Sequence, residues 1–297
     1  MVNSVKAVLT AATVLGSVAV AHAQVGGTAY NYNGSYDGAV YGAKAPSVIK
    51  ANELNISGAV GLPLNPTAQI PAKGEWRVQG SYYDLGSGDK SGVSYSQKKY
   101  GIYTAGRLGS LPMEINLGIS NLDVNAKGYS GAHPDDPVDV DGTGFSVGAK
   151  YQMWQSNDGT AMASVGVGYD AALYKNLYAY VVASKAFSSR HIVGHLGLRY
   201  DHFKIGGYNS SHPSVFLGAE VPIDKRGRFA LVGEVQSKNS NSDQYNSKVP
   251  FSLALRLANE KGLSASIGIQ RQGTLTSVQP GTMDGSASLF FQLGKNF

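Results

Sequence analysis

Residues 145–153 read Phe-Ser-Val-Gly-Ala-Lys-Tyr-Gln-Met, and residues 161–169 read Ala-Met-Ala-Ser-Val-Gly-Val-Gly-Tyr. In the first stretch Phe145, Val147, Ala149, Tyr151 and Met153 alternate with Ser146, Gly148, Lys150 and Gln152. In the second, Ala161, Ala163, Val165, Val167 and Tyr169 alternate with residues that include Ser164, Gly166 and Gly168. Successive side chains of a strand point to opposite faces, so this period of two describes strands with one apolar and one polar face. Outward along the chain the pattern recurs. Met113, Ile115, Leu117 and Ile119 oppose Glu114, Asn116, Gly118 and Ser120; Leu263, Ala265, Ile267 and Ile269 oppose Ser264, Ser266, Gly268 and Gln270.

Segments of this kind fall at 74–84, 99–108, 112–122, 143–153, 160–170, 176–186, 190–201, 213–222, 227–236, 248–257, 262–271 and 284–297. Each is roughly 9–13 residues, close to the about 9–11 that a tilted strand needs to cross a bilayer; globular strands average about 5–6. Segment 176–186 is ambiguous about which face is apolar, and 227–236 is apolar through its middle. The links 85–98, 123–142, 202–212, 237–247 and 272–283 are long, whereas 109–111, 154–159, 187–189, 223–226 and 258–261 are short. Only 171–175 is short where a long link is expected. Alternating short turns and long loops, with an even strand count, is the pattern of bacterial outer-membrane barrels. The expected fold is all-β: a transmembrane, antiparallel, up-and-down β-barrel of about twelve strands.

Composition excludes the competing classes. Of 297 residues 42% are hydrophobic but only 15% charged, with 38 Gly, 18 Tyr and no Cys. A soluble α/β enzyme carries about 25% charged residues, many of them on helix surfaces. A disordered chain has far less apolar content, and a helical membrane protein needs apolar runs of about 20 residues. The net charge of +5 is dispersed rather than clustered, so no nucleic-acid partner is expected. Zero Cys removes disulfides, thiolate catalysis and thiolate metal sites.

Residues 1–23 read as a secretory signal peptide: Lys6 closes a basic start, 7–20 are uncharged and mostly apolar, and Ala21-His22-Ala23 forms a small-x-small cleavage site. Residues 24–73 form a periplasmic or plug-like segment ahead of the barrel at 74–297. Tyr30, Tyr32, Tyr36 and Tyr41 lie in it, and Pro63, Pro66 and Pro71 suit a lead-in strapped across the barrel base. Residues 54–60 alternate briefly, as an extra strand would.

Two stretches resemble known families. Ala287, Leu289, Phe291, Leu293, Lys295 and Phe297 carry the alternation to the last residue. This resembles the C-terminal signal of Gram-negative outer-membrane proteins, and implies an outer-membrane location and the barrel assembly machinery as a partner reading Phe297. Residues 61–74, Gly-Leu-Pro-Leu-Asn-Pro-Thr-Ala-Gln-Ile-Pro-Ala-Lys-Gly, resemble over that stretch the opening of barrels associated with exopolysaccharide secretion.

Within a barrel, Arg77, Glu114, Lys150, His195, Arg199, Asp201, Glu220, Glu234, Arg256 and Gln270 are expected to face the lumen. Arg77, Lys150, Arg199 and Arg256 would attract anionic or sugar-like solutes if the lumen is open; alternatively the charges pair with one another. The many inward Gly and Ser leave room for a narrow pore. Trp76 and Trp154 fall at one membrane boundary and Tyr82, Tyr100, Tyr169 and Tyr200 towards the other, as the two aromatic girdles facing membrane lipid. Asp135, Asp136, Asp139 and Asp141 cluster at 133–142 without the spacing of a calcium loop. His191 and His195 lie near Ser188 and Ser189, but no G-x-S-x-G elbow and no phosphate-binding loop occurs. No cofactor and no enzymatic activity are expected. The expected function is a narrow passive channel for small hydrophilic solutes; the alternatives are a non-conducting structural or polysaccharide-secretion-associated barrel and a membrane-embedded hydrolase.

Overall fold

The computed structural model describes residues 53–297 apart from 91–92, 128–137, 158, 172–174, 188–191, 206–207, 225–227, 238–248, 260 and 272–286. The signal peptide and residues 24–52 lie outside the described residues, as do Asp135, Asp136, His191, Ser188 and Ser189.

Among the described residues twelve strands run in chain order: β1 (Trp76–Lys90), β2 (Val93–Arg107), β3 (Met113–Lys127), β4 (Val138–Gln155), β5 (Ala161–Ala171), β6 (Lys175–Phe187), β7 (Ile192–Ile205), β8 (Tyr208–Pro222), β9 (Phe229–Gln236), β10 (Phe251–Ala258), β11 (Leu263–Arg271) and β12 (Ser288–Asn296). Each pairs antiparallel with its chain neighbours, and β1 pairs with β12 from Arg77↔Asn296 to Tyr83↔Phe290. The barrel is closed. At the seam Phe297 N donates to Trp76 O at 2.7 Å and Trp76 N to Phe297 O at 3.2 Å. A closed ladder leaves no backbone edge unpaired, the condition for crossing a bilayer with strands.

The alternation sets the two faces. Ile102 and Ile119 are each 66% exposed, and Leu196, Leu198, Leu253, Ile267 and Leu289 also face outwards. Such an apolar exterior, with charge buried inside, inverts the arrangement of a soluble barrel and matches a lipid-facing wall. Segment 176–186 becomes unambiguous: Tyr178, Tyr180 and Val182 point in, and Leu177, Ala179 and Val181 point out. In β9 the inward residues are Val232, Glu234 and Gln236.

Strand ends depart from the alternation. The expected long link 85–98 is a continuation of β1 and β2, paired from Gly86↔Gln97 to Lys90↔Val93 after a bulge between Asp84 and Gly86. The expected link 202–212 is likewise the upper part of β7 and β8, and β4 starts at Val138 inside the expected link 123–142. These hairpin ends carry polar residues on the outer face as well as the inner one: Ser96 and Lys98 outside against Gln97 and Lys99 inside, and His202 and Lys204 outside on β7. Beyond the lipid layer both faces meet water, so the apolar contrast stops while backbone pairing continues. The wall is uneven: β1 to β4 each have 15 or more residues, β9 to β12 only 8 or 9.

Residues 53–72 lie inside the barrel rather than across its base, and every one of them is buried. No strand forms at 54–60; Leu54↔Val60 and Gly61↔Pro66 are isolated bridges. The segment folds on itself instead. Asn55 Oδ1 accepts from the backbone of Ser57 (2.9 Å) and Ala59 (3.0 Å), Gly58 has φ 91°, and Leu62 N donates to Asn65 O at 2.8 Å. At Gly61 a Cβ would meet Asn65 O at 2.3 Å, so only glycine allows the chain to return so closely.

Candidate functional site

The lumen holds two polar tiers, one near the strand ends joined to Trp76 and Phe297 (the near end) and one towards the opposite, far end. All ten expected inward residues, Arg77, Glu114, Lys150, His195, Arg199, Asp201, Glu220, Glu234, Arg256 and Gln270, are buried in this interior.

The near tier grips the inserted segment. Glu114 and Lys150 are direct register partners on β3 and β4, and their charged atoms lie 2.7 Å apart. Glu114 Oε1 accepts from Val60 N and Lys150 Nζ donates to Val60 O, both at 2.9 Å. One ion pair therefore satisfies both backbone groups of one inserted residue, as buried backbone requires. Arg256 pairs with Glu53 at 2.7 Å and with Glu220, and Ser266 donates to Glu53. Glu220 also meets His195 Nε2 at 3.1 Å, while His195 Nδ1 lies 2.8 Å from Ser184 Oγ. Ser184 Oγ accepts from Ala68 N at 3.0 Å, and Ser164 donates to Ala68 O at 2.6 Å. His195 thus lies on the lumen side between Ser184 and Glu220, and Ser184 links it to the inserted segment.

Arg77 is held by Gln79, Asn296 and Ser264, and Gln79 exchanges hydrogen bonds with both backbone groups of Leu54 (3.0 and 2.7 Å). Higher up, Glu234 accepts from Leu64 N (2.7 Å), Asn65 N (3.1 Å) and the Asn65 amide (3.0 Å). The reading of Lys150, Arg199 and Arg256 as open attractors for anions gives way to a different arrangement: each already faces a carboxylate.

The inward glycines do not leave open space. A Cβ at Gly166 or Gly168 would meet the Tyr180 or Tyr178 ring at 2.3 Å, and at Gly118 or Gly197 the Tyr103 or Phe216 ring at 2.3 or 2.1 Å. Each ring lies over its register partner on the next strand: Gly166↔Tyr180, Gly168↔Tyr178, Gly118↔Tyr103 and Gly197↔Phe216. Gly218 admits Leu62 of the inserted segment in the same way. These buried aromatics form a collar against which Ala68, Ile70 and Leu54 pack. They were missed in the sequence because tyrosine was assigned to the rims; glycine opposite an aromatic is the signal that finds them once register is known.

Above the collar an open cavity faces the far end. Its floor is Ile56, Ser57 and Leu64 of the inserted segment. Its wall carries the Lys99–Asp170 pair and Arg199, which binds Asp201 through Nε and Nη2 at 2.9 Å and stacks over Tyr178 at 4.6 Å.

On the outer face Trp76, Trp154, Tyr82 and Tyr100 are exposed, and Tyr169 and Tyr200 half-buried. Trp76 opens β1 and Trp154 nearly ends β4, which puts both at the near end, and the Trp76 ring lies over Gly106. Phe297 is 68% exposed beneath Lys295, whose Nζ lies 5.1 Å from the ring centre. Asp141 is exposed on β4 opposite Asp123, and Asp139 lies on the same strand; among the described residues no three acidic or His groups are placed to hold a metal.

The sequence matches no known protein-family profile, and no curated protein matches it. Among solved structures, an outer-membrane channel from Pseudomonas putida is 9% identical with a TM-score of 0.51, over 75% of this chain and 94% of that one. The translocator domain of the autotransporter NalP from Neisseria meningitidis is 10% identical, with a TM-score of 0.46 over 80% of this chain and 90% of that one. The KdgM porin in complex with disordered oligogalacturonate is 10% identical, with a TM-score of 0.42 over 75% and 98%. The fold of this chain is the closed antiparallel β-barrel that the Pseudomonas putida outer-membrane channel also has.

Proposed function

We propose that this protein is an outer-membrane channel for small hydrophilic solutes, narrowed by its own residues 53–72. The observation that carries this reading is the lumen: a closed, lipid-facing wall encloses a polar interior whose far end opens into a solvent-accessible cavity. The segment that narrows the lumen is held by hydrogen bonds to wall side chains and by packing against the buried aromatics. In this reading residues 1–23 direct export with cleavage near Ala23, the assembly machinery reads Phe297, and the aromatics at both rims meet lipid headgroups.

The test is conductance in planar bilayers. The full chain is expected to give small steps, and Lys150→Met, which releases Val60 O and unpairs Glu114, larger or more frequent ones. Absence of conductance from both proteins overturns the reading.

A further inference from the structure

The far-end cavity presents a different chemistry from the near tier. Its wall has two cations, Lys99 and Arg199, and two carboxylates, Asp170 and Asp201, and the four sum to zero. Each cation is in direct contact with a carboxylate. An anionic solute would have to share Lys99 or Arg199 with Asp170 or Asp201, and a cationic solute to share a carboxylate with its cation. Either adds a net charge to a site that is already balanced and poorly hydrated. An uncharged ligand adds none.

The groups left over define that ligand further. Asn176 is 5% exposed and donates from Nδ2 to Asp201 at 2.8 Å, while its Oδ1 finds no hydrogen-bond partner among the described residues. It lines the cavity beside the Ser57 residue of the floor. Carboxylate oxygens accept more than one hydrogen bond, so Asp170 and Asp201 retain acceptor capacity after pairing. The site therefore offers acceptors at several points with fixed planar geometry, which suits a ligand rich in hydroxyl donors. Phe203, Leu64, Ile56 and Pro250 add apolar surface at the same cavity, the combination of convergent polar groups and apolar lining that holds a small molecule. Uncharged, multiply hydroxylated and partly apolar on its C–H faces: these requirements describe a sugar ring.

We infer that the far-end cavity binds one uncharged sugar ring of the solute that the channel passes, an inference that rests on the channel reading of the lumen. The probes are D-glucose, glucuronate and glucosamine, which share one ring and differ in charge, titrated against the full chain in detergent and followed by saturation-transfer NMR. Glucose is expected to bind at least tenfold more tightly than either charged analogue. Asn176→Leu is expected to weaken glucose at least tenfold, and Asp141→Asn, on the outer face of β4, to leave it unchanged. Glucose binding no better than glucuronate or glucosamine overturns the inference without any variant, as does an unaltered Asn176→Leu. Conductance recorded on the same preparation separates the two readings: conductance without glucose preference removes the sugar site alone, and glucose binding without conductance removes the channel alone.

Discussion

Lys150 and Lys99 both sit in ion pairs inside one lumen, yet the two tiers they belong to do opposite things. The Lys150–Glu114 pair is fully enclosed and turns its remaining valences on the backbone of Val60. The Lys99–Asp170 pair touches the segment through Ile56 O, at 3.3 Å, and borders the cavity. Similar chemistry therefore fastens chain at the near end and shapes a solvent-accessible chamber at the far end. What differs is the access of water, which sets how much each pair contributes to stability and how freely it can meet a solute.

The largest effect should come from breaking the near tier. Glu114→Ala leaves Lys150 buried without its counter-charge and Val60 N without an acceptor, at about 3–5 kcal/mol by the usual cost of orphaning one partner of a buried pair. Guanidinium unfolding in detergent micelles measures this. The collar between the tiers comes next. Gly166→Val drives a side chain into the Tyr180 ring and should cost about 1–3 kcal/mol as overpacking, whereas Gly80→Ala, whose nearest atom would be 4.0 Å away, should be close to neutral. Thermal unfolding of the two variants side by side gives the difference. The smallest effect belongs to the far tier. Asp170→Asn should cost only about 1 kcal/mol, because water at the cavity replaces part of the lost pairing. If Asp170→Asn destabilises as much as Glu114→Ala in the same unfolding assay, the distinction between the tiers fails.

Lipid made much of this fold legible. It demands an apolar outer face, so Ile115, Leu117 and Ile119 declare their strand without reference to any partner. The ends of strands were not legible, because beyond the lipid both faces are wet; β1 reaches Lys90 through residues with no apolar contrast. The ten inward polar residues followed from parity alone, and all ten are inside. Their partners did not, since Glu114 meets Lys150 only once register is fixed, and Glu53 meets Arg256 across 203 residues of chain. Glycine was misread for a similar reason: Gly166 suggests empty space until Tyr180 is known to lie opposite. The inserted segment was read as a strap because its prolines and glycines indicate a loop but carry no information about where that loop is placed.

The inserted segment also has a consequence for assembly. Its hydrogen-bond partners come from strands along nearly the whole ring, from Gln79 on β1 through Glu114, Ser184 and Glu234 to Ser266 on β11 and Gln292 on β12, the last 238 residues from Leu54. Contacts of such sequence separation form late, after the loops between them have closed. A barrel missing one hairpin would leave several of these inserted backbone groups without partners in a water-poor interior. Seating of residues 53–72 is therefore a check on completeness, satisfied only once the last strand has met the first.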